Sequence, residues 1–81
     1  MPANELLRML RAKPFAPFRM HVSEGMVYEI RHPEMVIVLT AAAIVAFPDP
    51  ANEAMASGWE LVDLRHIIRV EPLPSQAVQS S

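Results

Sequence analysis

An 81-residue chain has room for one domain, and a domain of this size buries only about 60% of the surface its unfolded chain exposes, so its core needs a supplement. Cysteine is absent, which excludes disulfides and thiolate metal sites, and the three histidines have no paired helical spacing, which leaves poor material for a metal staple. Self-association is the remaining supplement, and a hydrophobic share of 52% favours it because so small a domain has little interior to hold those side chains. The net charge of −2 is unevenly placed: residues 1–22 carry Arg8, Arg11, Lys13 and Arg19 against Glu5, whereas residues 23–81 carry three arginines against eight acids. Such polarity either steers an anionic partner to one face or lets a basic helix sit on an acidic body.

The first predicted element is a short amphipathic helix over residues 4–12. Asn4 is placed to cap it, Leu6, Leu7 and Leu10 fall on one side, and Arg8 and Arg11 turn away. A helix of this length does not hold alone in water, so the leucine face docks on the body of the domain or on a neighbour, and Leu6, Leu7 and Leu10 are candidate interface residues. Pro14 and Pro17 end the helix.

Next comes a β-hairpin. Residues 18–23 and 26–32 alternate apolar and polar side chains on either side of Glu24-Gly25, with Phe18, Met20 and Val22 on one face and Arg19, His21 and Ser23 on the other. In the second strand Met26, Tyr28 and Ile30 oppose Val27, Glu29 and Arg31. After the break at His32-Pro33-Glu34, residues 35–39 form a continuous apolar run of strand length, the pattern of a strand covered on both faces. The alanines at 41–43 permit a bend or a tight turn, and two strand pieces are expected across 35–47. That apolar stretch has 13 residues between Pro33 and Pro48, too short for a membrane helix of about 20.

Pro48-Asp49-Pro50 is expected to end the segment, with residues 51–58 as a loop. Residues 59–64 alternate again, a short turn follows at Leu64-Arg65-His66, and a last strand ends at Pro72. Residues 75–81 lack apolar content and are expected to be disordered, so the domain spans 1–74. No basic segment followed by an apolar stretch and a cleavage site opens the chain, so the expected location is the cytoplasm. The fold class is mainly β, a small antiparallel barrel or sandwich with a leading helix.

The order of helix, hairpin with a glycine turn, buried third strand, then a strand, a one-turn break and a closing strand resembles the Sm-like family of small barrels, among them the Hfq-like bacterial RNA chaperones. The resemblance implies an Sm-like or SH3-like antiparallel barrel of five to six strands. Residues 62–72 read VDLRHIIRVEP, which places Arg65-His66 at the position that in this family lines a ring pore and contacts uridine-rich RNA. The chain lacks the family's glycine in the second strand, and its segment 48–58 is longer than the family's link. Residues 14–34 also resemble a group of small bacterial proteins with no known function.

No catalytic constellation stands out. Glu24 with Glu29 and Glu60 with Asp63 read as solvated surface, Ser23 and Ser57 lack an adjacent base, and Gly25 and Gly58 belong to turns rather than to a phosphate loop. Neither cofactor nor metal is expected. The residues therefore favour a non-enzymatic, self-associating barrel module acting through protein contacts. The alternative is an RNA-binding ring using Arg65, His66, Arg8 and Arg11.

Overall fold

A computed structural model describes residues 1–74, so the expectation for 75–81 lies outside the described residues. One helix, α1 (Ala3–Arg11), precedes six strands: β1 (Phe18–Val22), β2 (Val27–Ile30), β3 (Val36–Val38), β4 (Ala42–Asp49), β5 (Asn52–Asp63) and β6 (Ile67–Pro72). The fold is mainly β, with two three-stranded antiparallel sheets of order β2-β1-β6 (sheet A) and β3-β4-β5 (sheet B).

Alternation in β1 and β2 produces the inner face of sheet A. Phe18 lies opposite Ile30 and Met20 opposite Tyr28, and all four are buried, while Arg19 and Glu29 pair on the outer face. The turn between these strands holds Glu24 at φ 70° and Gly25 at φ 82°, a left-handed pair that glycine adopts freely and glutamate only at a cost. Val36, Ala43, Val45 and Val62 supply the inner face of sheet B and join the same core cluster. Between the layers, the Tyr28 ring stacks on Phe47 at a centroid distance of 6.0 Å.

The helix docks on its own domain. Leu6 is fully buried and Leu10 nearly so, both in the core cluster, and α1 packs against β3. Those two side chains are therefore not available to another chain, which corrects their assignment as interface residues; Leu7 is half-buried beside them. Asn4 does not cap the helix. Pro2 occupies the capping position with its carbonyl accepting from the Glu5 and Leu6 amides at 3.1 and 3.3 Å, because its fixed φ of −65° already suits the entry to a helix. Ala12 is extended, and the helix ends there.

Two other expectations are corrected. The 35–47 stretch is two antiparallel strands joined by a tight turn in which the Leu39 amide donates to the Ala42 carbonyl at 2.8 Å, but β3 is not covered on both faces: Val36 is buried whereas Ile37 is 58% exposed. Residues 51–58 are not a loop. They belong to β5, and only Pro50 and Ala51 connect it to β4. Asp49 accepts from the Ala51 amide at 2.7 Å and Asn52 from the Ala54 amide at 3.1 Å, which sets the turn through side-chain bonds to the backbone. Shifts of register on either side of Pro48 accommodate a residue that cannot donate to the ladder.

Candidate interaction surface

Register places the outer face of sheet B. Ile37, Ile44 and Leu61 form one row across β3, β4 and β5, and Trp59 lies opposite Ala46 on the same face. Leu39 continues the alternation from Ile37. None of these side chains is charged, and four are well exposed: Ile37, Leu39, Trp59 at 66% and Leu61 at 60%. Small alanines at 42 and 46 flank Ile44 along the central strand. At one end lies an open cavity of about 120 Å³ whose lining includes Glu34, Met35, Ala46, Pro48, Glu53 and Met55. At the other end Asp63 closes the row opposite Ala42.

The outer face of sheet A has the opposite chemistry. Arg19 bridges Glu29 at 3.1 Å and Glu71 at 3.4 Å, Arg31 adds a second contact to Glu29 at 2.9 Å, and His21 Nε2 lies 2.6 Å from Glu71 Oε1. Arg69 stands 3.7 Å from the other Glu71 oxygen. Hydrogen bonds from Arg19 and then Arg31 hold the Glu29 carboxyl below its ordinary range, and His21 leads in doing the same to Glu71. Tyr28 is shifted the other way: burial pushes its phenol up, and the hydroxyl donates to Glu60 at 2.8 Å.

Arg65 and His66 follow β5 in a single turn of 3-10 helix over Leu64–His66. Asp63 caps that turn by accepting the Arg65 amide at 2.8 Å and also takes the Arg65 guanidinium at 2.9 and 3.2 Å. Those bonds hold the Asp63 carboxyl well below the usual carboxylate range and raise the guanidinium in turn. Arg65 is thus already engaged with an acid, while His66 is exposed and contributes its carbonyl to the Ser23 hydroxyl at 3.3 Å. Arg8 and Arg11 are exposed on the last turn of α1, where cations complement the helix dipole. With Lys13 they are the cationic side chains of lysine and arginine that have no carboxylate partner among the described residues; Arg19, Arg31, Arg65 and Arg69 are all paired.

Depressed carboxylates imply a stated pH response. Glu29, Asp63 and Glu71 all have folded pKa values below the ordinary ones, so their stabilisation is present above the unfolded carboxylate range and is lost as pH falls through the folded values. The urea midpoint is expected to fall from about pH 5 downward, and Asp63→Asn is expected to make that decline shallower. An unchanged acid limb in the variant would refute the role given to Asp63.

Sequence reasoning missed the outer face of sheet B as a surface, although its signal was present in the two-sided apolar run at 35–39 and in the alternation through Trp59 and Leu61. Of the aromatic residues placed beside cations, Phe18 is buried, whereas Phe15, which packs against it at a centroid distance of 6.0 Å, is partly exposed and lines an open cavity with Arg11 and Lys13. No cluster of three metal-ligating side chains occurs among the described residues, and no helix among them is long and apolar enough to cross a membrane. No known protein family, curated protein or solved structure matches the chain.

Proposed function

We propose that this protein is a non-enzymatic, self-associating interaction module built on a small Sm-like or SH3-like barrel, working in the cytoplasm. The carrying observation is the apolar stretch on the outer face of sheet B, with Ile37, Leu39, Trp59 and Leu61 exposed together. A contiguous patch of that composition is characteristic of a protein contact. The strand order supports the barrel reading: β2 and β3 can be taken as halves of one bent strand interrupted at Pro33–Met35, and the one-turn break at Leu64–His66 precedes the closing strand. The non-enzymatic part is supported by carboxylates held low on open faces, Glu29 and Asp63 by arginines and Glu71 chiefly by His21, rather than raised in an enclosed site.

A second reading, an RNA-binding ring, is favoured by one observation, the cations Arg8, Arg11 and Lys13, which have no carboxylate partner among the described residues. Arg65 supports it less, because Asp63 already neutralises its guanidinium. Light scattering during gel filtration, with absorbance recorded at 260 and 280 nm, separates the two readings. The module is expected to elute at a small multiple of the chain mass without nucleic acid, whereas a ring of about six subunits carrying co-purified nucleic acid would support the RNA reading. A monomer at every concentration would overturn self-association.

A further inference from the structure

We infer that the cavity at the end of α1 is a binding site for a small phosphate monoester carried on a flat ring, the chemistry of an aryl phosphate or a nucleoside monophosphate. This goes beyond the self-association reading and does not depend on it. The cavity is open, has a volume of about 370 Å³, and is walled by Leu10, Pro14, Phe15 and Pro33 with Arg11 and Lys13 beside them. Its volume lies near the lower end of the roughly 300–1,000 Å³ of small-molecule sites, and apolar walls with a few polar groups are their usual make-up. Local chain geometry builds it. The helix stops at Ala12, which is extended, the connector carries Lys13, Pro14 and Phe15 back toward β1, and Pro33 arrives from the turn after β2. Leu10 belongs to the core, and the Phe15 ring packs on the buried Phe18 at a centroid distance of 6.0 Å, so the packed interior holds both in place while Phe15 still lines the open space.

Charge selects the ligand. Arg19, Arg31, Arg65 and Arg69 are each spent on a carboxylate, whereas Arg11 and Lys13 have no carboxylate partner among the described residues, and no acid lines their cavity. The helix dipole accounts for a cation at Arg11 in the last turn, but Lys13 lies beyond the helix end, so the dipole does not account for both lining one cavity. In a chain of net charge −2, two such cations on one concave surface make a local positive potential that draws an anion. A guanidinium offers a planar fork that matches phosphate oxygens, and an ammonium adds a point charge with three donors. Together they balance a phosphate monoester, which carries about two negative charges at neutral pH, where a carboxylate would balance only one of them. A bare phosphate would leave the apolar walls uncovered, and Phe15 supplies an aromatic surface on which a flat ring stacks.

The test is titration of the full chain with phenyl phosphate and with adenosine monophosphate, read by amide chemical shifts in nuclear magnetic resonance. Both are expected to bind saturably, with the largest shifts at Arg11, Lys13, Phe15 and Glu34, the amides in and next to the cavity. Each is expected to bind more tightly than inorganic phosphate or adenosine, which offer only one of the two parts. Arg11→Gln and Lys13→Gln are each expected to raise the dissociation constant about fivefold or more, between the loss of an exposed ion pair and that of a hydrogen bond to a charged group. Both side chains are exposed, so the variants are expected to keep the parental spectrum away from the cavity. Arg69→Gln removes the same charge outside the cavity and is expected to leave the affinity unchanged. Equal weakening by Arg69→Gln would reduce the effect to general charge attraction and overturn the site, as would inorganic phosphate binding as tightly as phenyl phosphate, or no saturable shift with either ring phosphate. Mass in solution is read separately by light scattering, so each of these failures leaves self-association standing.

Discussion

Phe18→Ala is expected to lower the free energy of unfolding by about 3–5 kcal/mol, the range for removing a buried phenylalanine from a packed core. Phe18 is only 1% exposed and sits at the junction of three strands, opposite Ile30 on β2 and opposite Pro72 on β6, with the Phe15 ring against it. Deleting the ring leaves a cavity that β1, as the central strand of sheet A, cannot close by moving toward one neighbour without leaving the other. Chains of this length have total stabilities on the order of 4–12 kcal/mol, so the variant is expected to lose a large part of its folded population. The check is the urea midpoint at fixed chain concentration and constant slope, which keeps any concentration dependence out of the comparison. A loss below 1 kcal/mol would mean that the inner face of sheet A is not the core described.

What could be read in advance divides by physical cause. The first hairpin is legible because burial on one face imposes a period of two, and Glu24-Gly25 supplies the turn. Residues 51–58 are not legible as strand because alanine, serine and glycine have weak strand preference, and the prolines at 48 and 50 read as terminators. Pairing with β4 overrides both signals once the Asp49–Asn52 turn brings the strands together. Strand preference belongs to the neighbours as much as to the residue.

The apolar outer face of sheet B was half legible. A run apolar on both sides, 35–39, signals a strand covered on both faces, and periodicity cannot distinguish cover by the same chain from cover by another. Within one chain the cover is one-sided: Val36 faces the core and Ile37 faces out. Helix α1 shows the same ambiguity resolved the other way, since a leucine stripe states that it must be buried without stating against what. Cations were legible as residues but not as partners. That Arg65 is tied to Asp63 follows from the geometry of a capped turn, and that Arg8 and Arg11 have no carboxylate partner among the described residues could not be read from residue type.

Leu6→Ala separates a helix that completes the core from one that serves as a contact surface. Leu6 is 0% exposed, and its truncation is expected to cost about 2–5 kcal/mol of stability. Nine residues are below the roughly 12–15 at which an isolated helix becomes marginal in water, so α1 persists only through its docking, and Leu6 with Leu10 provides its buried contacts. Weakening that docking is therefore expected to melt the helix, with loss of its circular dichroism at denaturant concentrations where the sheets still hold. Leu7→Ala, at a half-buried position on the same helix, is expected to cost less than 1 kcal/mol. Were the leucines an intermolecular surface, Leu6→Ala would instead reduce the mass in solution and spare the stability of the monomer. A variant that stays folded at parental stability but dissociates would move the interface from sheet B to the helix.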